Sequence, residues 1–339
     1  MPRFAVRSRG GSPRKVSGDS VTARRGLALA GAALATALVA GRVLAGAYAE
    51  WAWYDALGAG SLWTARMEAL TALRLGLFAV AFVFAFVNLL VMRRSIVSLV
   101  LPRQLGNLVI GEAVPGSTLT GATVVLSLVI AAVMALPQDA WLVLLRAYWA
   151  TPLREIDPYL GRDMAFWMAW LPLERSVHAW SVLLAVVVGA TVLLLYALTP
   201  SLRVDRGHLH VSTRARRHFA VYTALLLLLV AWGYRLDAFD LFIHGSGVRE
   251  TFVAFDHLVL FPYLVTTGIG TVAAALLVAW TGWMGQQRVT LGALLIVMVA
   301  GPVGRALLPL FDRQAAHDGE RSVLDRPYHR VRALYTRRA

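Results

Sequence analysis

Seven long runs of apolar residues constrain the fold of this chain more than any other feature. An α-helix needs about 20 such residues to cross the hydrocarbon core of a bilayer. The runs extend approximately over residues 27–49, 69–92, 119–136, 179–198, 219–233, 258–280 and 291–310. The fifth run is the shortest, so we expect its helix to extend through Arg216 or Tyr234. The pattern predicts an all-α fold, a polytopic transmembrane bundle of about seven spans.

Composition agrees with a membrane protein and excludes several other classes. Hydrophobic residues make up 58% of the chain, whereas roughly half is usual in soluble domains. Cysteine is absent, which excludes disulfides, thiolate metal sites and a cysteine nucleophile. Lys15 is the only lysine, and it lies in the N-terminal tail, so a Schiff-base mechanism has almost no candidate.

The net charge of +14 predicts membrane orientation rather than nucleic-acid binding. The basic residues lie in tails and loops and form no stripe with interleaved aromatics, so we expect no nucleic-acid partner. They are concentrated before the first run, after the second run and between the fourth and fifth runs. The positive-inside rule then predicts a cytoplasmic N-terminus and an extracytoplasmic C-terminus in a multi-pass protein of the inner cell membrane.

Three segments follow from this organisation. Residues 1–26 are basic and rich in Gly, Ser and Pro, which predicts a disordered cytoplasmic tail. Residues 27–311 form the seven-span bundle. Residues 312–339 form a basic C-terminal tail, which we interpret as the start of an outer region.

Residues 154–180, between the third and fourth runs, combine charge and aromatic side chains more densely than the rest of the chain. The apolar part from Met164 to Leu173 is too short to cross a bilayer. It predicts an interfacial element with Trp167 and Trp170 at the level of the headgroups. Residues 141–150 are also short and apolar, so we expect interfacial helices in this outer loop.

Four segments together resemble a known family. They are residues 51–58 (WAWYDALG), 157–166 (DPYLGRDMAF), 232–242 (WGYRLDAFDLF) leading into Gly247-Val248, and 325–330 (DRPYHR). Their order and spacing over about residues 45–338 resemble uncharacterised protein family 0182, a group of bacterial membrane proteins. The resemblance implies seven spans followed by a long extracytoplasmic region. Because members continue well beyond the Arg-Pro-Tyr segment, this chain is expected to correspond to the N-terminal part. The resemblance implies architecture and no chemistry.

Charged side chains inside a bilayer cost a few kcal/mol, so those within the runs are candidates for function. The candidate intramembrane polar site consists of Arg42, Arg74, Asn88 and Arg305. These residues would line a path for an ion or solute. Alternatively, Arg42 and Arg74 extend to the headgroups or pair with Glu50 and Glu68. Arg305 follows Gly301-Pro302, where a kink would free carbonyl oxygens to accept from its guanidinium.

Carboxylates are concentrated in the outer loops. The candidate outer-loop charge cluster consists of Asp157, Arg162, Asp163, Asp237, Asp240 and Asp256. Such oxygens suit hard cations, but no ligand spacing is present, so we expect no metal, no cofactor and a solvated face paired with arginines. Within it we expect Asp157 to pair with Arg162 or to organise the turn together with Asp163. We also reject zinc at His208, His210 and His218, which lie among arginines.

The sequence favours a non-catalytic membrane scaffold that anchors an extracytoplasmic domain or partner. The alternative is a transporter or channel that moves a small or anionic solute past Arg305 and Asn88. An enzyme is the third hypothesis, because neither a catalytic triad nor an H-E-x-x-H motif is present. The expected partners are the lipid bilayer and either a second membrane protein or another copy of this chain.

Overall fold

The computed structural model describes residues 19–97, 116–199, 201–205, 208–315 and 318–338. The helices are α1 (Asp19–Ala56), α2 (Gly60–Val97), α3 (Gly116–Ala135), α4 (Trp141–Tyr148), α5 (Leu171–Ala197), α6 (Thr213–Ile243), α7 (Phe261–Met284), α8 (Gln287–Ala315) and α9 (Asp318–Arg338). Two strands, β1 (Leu202–Asp205) and β2 (His208–Val211), form an antiparallel hairpin between α5 and α6. Seven helices of the described part are long and apolar enough to cross a membrane, which confirms the expected fold class.

The chain divides into two compact units, residues 1–68 and 69–339. In the first unit, α1 begins at Asp19, inside the segment assigned to the tail; residues 1–18 lie outside the described part. Gly58 has a φ of +68°, a left-handed conformation that allows the tight turn between α1 and α2. The Glu50 carboxylate accepts a hydrogen bond from Arg66 at 2.5 Å, so it pairs with Arg66 and not with Arg42.

The second unit has two main apolar cores. One joins α2, α3, α5 and α6, where Ala81, Ala85 and Ala131 are fully buried. The other joins α6, α7 and α8 around Ala275 and Val278. Lipid tails are as apolar as these side chains, so helix association depends on close packing, which small residues permit.

The apolar part of residues 154–180 differs from the interfacial element that the sequence predicts. Residues 166–173 form no separate interfacial helix; they begin the fourth span, because the π-helical turn Phe166–Trp170 continues directly into α5. Trp167 and Leu171 are buried against Leu236 and Phe239 of α6, so their apolar surface contacts protein instead of headgroups. α4 is the separate short helix expected in this loop.

The helices of the fifth and sixth spans extend beyond both ends of their apolar runs. α6 extends from Thr213 to Ile243, beyond both ends of the fifth run, and Ser212 caps its N-terminus by accepting from the Ala215 N–H. α7 is preceded by a second π-helical turn, Asp256–Leu260. We call the end of the bundle that carries the C-terminus of α6 and the N-terminus of α7 the aromatic end, and the opposite end the arginine end.

Candidate functional site

Five rings meet at the aromatic end, and we call them the aromatic cluster: Tyr159, Phe242, Phe252, His257 and Tyr328. The Tyr159 ring stacks on the Tyr328 ring with centroids 5.1 Å apart and an interplanar angle of 13°. The His257 Nδ1 lies 2.9 Å from the Tyr328 hydroxyl. Phe252 contacts both tyrosines and Phe242. The cluster therefore ties α9 to the loops before α5 and α7.

The turn that carries Tyr159 is organised by Asp157, whose side chain is only 1% exposed. Its carboxylate accepts hydrogen bonds from the backbone N–H groups of Tyr159, Leu160 and Arg162, at 2.9–3.2 Å. The expected ion pair with the Arg162 side chain is therefore replaced by a backbone bond, and that guanidinium lies over the Phe166 ring. Asp157 thus positions the Tyr159 ring through the main chain.

The loop after α6 is folded tightly around the fully buried Asp256. Asp256 Oδ2 accepts from the backbone N–H groups of Ser246 and Val253, both at 3.0 Å. An added Cβ at Gly245 would overlap the Thr251 backbone, so the close approach here requires glycine. The Ala254 N–H donates to Asp325 Oδ1 at 3.0 Å, which gives α9 a second attachment to this loop.

Two π-helical turns flank the aromatic cluster. In each, the helix regains the α form just before a proline, Pro172 or Pro262, which lacks the N–H that the backbone ladder would use. The first turn places Trp167 against Phe242 with stacked rings 4.6 Å apart, and the second carries His257. Single π turns within α-helices occur frequently at functional sites.

Burial favours the neutral form of both stacked phenols. It raises the pKa of Tyr159 to about 12, with further contributions from Tyr328 and Asp157, and it also raises the pKa of Tyr328. Among the described residues, the buried Tyr159 hydroxyl and Asp256 Oδ1 have no hydrogen-bond partner. Each unsatisfied buried group costs about 1–3 kcal/mol, which the packing around it must offset.

Asp163 organises the other side of the same turn. It accepts from the N–H groups of Ala165, Leu153 and Arg154 at 2.8–3.1 Å. These bonds favour the ionised carboxylate, so the pKa of Asp163 is lowered from its ordinary value. Arg154 has a φ of +60°, and its N–H reaches Asp163 from that left-handed conformation.

The remaining carboxylates of the predicted cluster lie on α6 and pair with neighbouring helices. Asp240 pairs with Arg175, and Asp237 pairs with Arg305 at 2.8 Å. Glu174 binds Arg235 and the Trp232 indole in the same region. The six predicted residues therefore do not form one cluster. Within the described part of the chain, no group of three or more His, Cys, Asp or Glu side chains could hold a metal ion.

The three residues of the predicted intramembrane site that lie in the second unit, Arg74, Asn88 and Arg305, have separate partners. Arg42 lies on an exposed face of α1, in the first unit. In the second unit, the Arg74 Nε donates to the Gln138 carbonyl at 3.1 Å. Arg305 binds Asp237, while the carbonyls of Ala300 and Gly301 beside the proline accept from the Tyr263 hydroxyl.

Asn88 belongs to a buried chain of polar groups that the sequence reasoning missed. The Asn88 Nδ2 donates to the Phe84 carbonyl at 2.8 Å, which leaves its Oδ1 as an acceptor for His218 Nε2 at 3.1 Å. His218 Nδ1 then accepts from the Tyr196 hydroxyl at 3.1 Å. The chain joins α2, α6 and α5. The sequence signal for this chain was weak, because each of the three helices also contains other polar residues.

Three of the four segments that carry the family resemblance meet at the aromatic cluster, namely residues 157–166, 232–242 and 325–330. The sequence profile of the Uncharacterised protein family (UPF0182) matches residues 27–339. The chain belongs to this family. The match is wider than residues 45–338, because it includes the first span.

Individual UPF0182 proteins agree with this assignment. The chain is 29% identical over 301 residues to a UPF0182 protein of Moorella thermoacetica, covering 86% of this chain and 32% of the relative. It is 24% identical over 298 residues to one of Desulforamulus reducens, covering 79% of this chain and 31% of the relative. The chain thus spans about a third of the length of these relatives. No solved structure matches it.

Proposed function

We propose that this chain is a non-catalytic membrane scaffold that anchors an extracytoplasmic domain or partner through α9. The observation that carries the proposal is the seating of Tyr328 against Tyr159, Phe252 and His257, together with the Asp325 bond to the Ala254 N–H. A flexible linker between the bundle and an outer domain would not need these contacts. A helix held by stacked rings and two hydrogen bonds transmits a defined orientation from the bundle to whatever is joined to it.

The proposal includes a topology, with the N-terminus and the arginine end in the cytoplasm and the aromatic end outside. The distribution of basic residues supports this orientation.

Hydrogen–deuterium exchange of the purified chain tests the seating of α9. We expect peptides covering residues 323–337 to be protected in the parent chain and to lose that protection in Tyr328→Ala. Leu334→Ala is the matched control, because this side chain of α9 is 50% exposed. Rapid exchange in the parent chain, or equal exchange in Tyr328→Ala, would refute the docked helix.

Photo-cross-linking in cells tests the anchoring role. A photoreactive residue at the exposed Arg326 of α9 should form a product with a domain or partner, and this product should decrease when Tyr328 is also replaced by Ala. The same residue at Gln287, at the arginine end, should not form it. Absence of an α9 product from intact membranes would contradict the scaffold.

A transporter remains the second hypothesis, and Arg305 distinguishes the two. Its pairing with Asp237 supports the scaffold, because the charge is used between α8 and α6. We expect no flux of ions or organic anions in proteoliposomes of either the parent or Arg305→Gln. A flux in the parent that Arg305→Gln abolishes, with folding preserved, would favour transport.

A further inference from the structure

A large groove lies between α2 and α6 in the second unit, near the arginine end. Its volume is about 1430 Å³, above the range of roughly 300–1,000 Å³ that is usual for small-molecule sites. Its apolar walls include Val80, Val83, Val87, Val91, Val221 and Leu225. Several of these side chains are exposed along the groove, Val83 by 58%. The groove is therefore long and apolar, and it is open along the membrane-spanning parts of α2 and α6.

The basic residues of the groove lie at one end. Arg93 and Arg94 follow the apolar part of α2, and Arg214 and Arg217 are in the first turns of α6. Arg94 and Arg214 lie near the edges of their candidate spans, where lipid headgroups are found. Among the described residues that line the groove there is no carboxylate. The groove thus presents a cationic end at headgroup depth and an apolar path into the membrane.

The neighbouring contacts hold the arginines at this end. The Arg214 Nη1 donates to the Arg94 carbonyl at 2.8 Å, which joins α6 to α2. The Arg217 guanidinium lies 4.7 Å from the ring centroid of Trp283 of α7. Both arrangements leave further guanidinium N–H groups, because each guanidinium carries five donors.

The polar groups deeper in the groove are already satisfied. Asn88 and His218 bond to each other and to Phe84 and Tyr196, and the Tyr222 hydroxyl donates to the Ala185 carbonyl. They therefore form part of the wall and leave the recognition of an anion to the arginines. From Ala79 to Val91 the groove follows about 18 Å of α2, close to the thickness of one leaflet, about 15 Å.

We propose that this groove binds one anionic phospholipid, with its phosphate between Arg94, Arg214 and Arg217 and an acyl chain along the valine wall. The charge at the end of the groove matches an anionic headgroup, and the length of the apolar wall matches an acyl chain. The proposal is independent of the scaffold function.

Native mass spectrometry of the full chain in detergent tests this site. The chain is titrated separately with phosphatidylglycerol and phosphatidylcholine, and we expect tighter binding of one phosphatidylglycerol. Arg214→Gln/Arg217→Gln should weaken that binding about 30-fold, which at about 1.4 kcal/mol per decade corresponds to about 1 kcal/mol for each arginine. The control is Arg288→Gln, because Arg288 is exposed at the same end and does not line the groove.

A second variant tests the apolar wall. Val83→Trp fills the groove from an exposed position, and we expect it to weaken phosphatidylglycerol binding by about tenfold or more without changing the melting temperature of the lipid-free chain. Equal binding of both lipids, no effect of the double arginine variant, or displacement by millimolar inorganic phosphate would overturn the proposal. So would a lipid-free dimer that Val83→Trp dissociates, since a second copy would then cover the groove.

Discussion

At the scale of single residues, two glycines of α8 allow tyrosines to approach its backbone. Tyr234 of α6 lies against Gly301, and Tyr263 of α7 lies against Gly304. An added Cβ at Gly301 would overlap the Tyr234 hydroxyl, so the ring or the helix would have to move.

We therefore expect Gly301→Ala to lower the free energy of unfolding by about 1–3 kcal/mol, as overpacking usually does. Gly292→Ala is the matched control on the same helix, because nothing lies within 4 Å of its added Cβ. Thermal unfolding in detergent measures the difference. Equal melting temperatures for the two variants would show that α8 does not depend on this close approach.

Asp163 gives a pH-dependent prediction at the same scale. Its pKa is lowered in the folded chain, so its hydrogen bonds contribute stability above the unfolded value of 3.8. That contribution is lost as pH falls below 3.8 through the folded pKa. We expect Asp163→Asn to melt below the parent chain at neutral pH, and the two melting temperatures to converge at strongly acidic pH.

The control for this comparison is Asp139→Asn, because Asp139 is an exposed carboxylate outside the turn. Its melting difference from the parent chain should be small at every pH. A gap between Asp163→Asn and the parent chain that stays constant below pH 3.8 would contradict the role assigned to the ionised carboxylate.

At the scale of elements, the chain Asn88–His218–Tyr196 connects three helices across the largest core. Removing Asn88 leaves the His218 N–H without its acceptor. We expect Asn88→Leu and His218→Leu each to lower the unfolding free energy by about 1–3 kcal/mol. The double variant should show a coupling of about 0.6–1.7 kcal/mol, as for other hydrogen bonds between membrane helices.

A double-mutant cycle of thermal unfolding in detergent measures this coupling. The control pair is Asn88→Leu with Thr271→Val, because Thr271 bonds only to the Thr267 carbonyl within α7 in the described contacts. Additive effects for Asn88 and His218 would mean that their hydrogen bond does not hold α2 to α6.

At the scale of the whole molecule, the proposed topology is tested by cysteine labelling, since the chain has no native cysteine. Ser201, which lies between α5 and β1, is unsuitable as a labelling position because the structure buries it. A cysteine there would not react with a reagent on either side of the membrane. Val248→Cys, 85% exposed at the aromatic end, and Gln287→Cys, exposed at the arginine end, are suitable. We expect an impermeant thiol reagent to label only Val248→Cys in intact cells. The reverse pattern would invert the topology.

The sequence by itself determined the fold class, the seven spans and the family, because a bilayer imposes a length and apolarity that can be read along the chain. It also indicated that the segments around Asp157 and Tyr328 belong together, through a resemblance and not through geometry. Only the tertiary structure decided that Tyr328 stacks on Tyr159, that Asn88 meets His218 and that Arg305 meets Asp237. These partners are far apart in sequence. Between membrane helices the apolar pattern is nearly uniform, so pairing depends on small residues, π turns and a few polar contacts whose geometry exists only after packing.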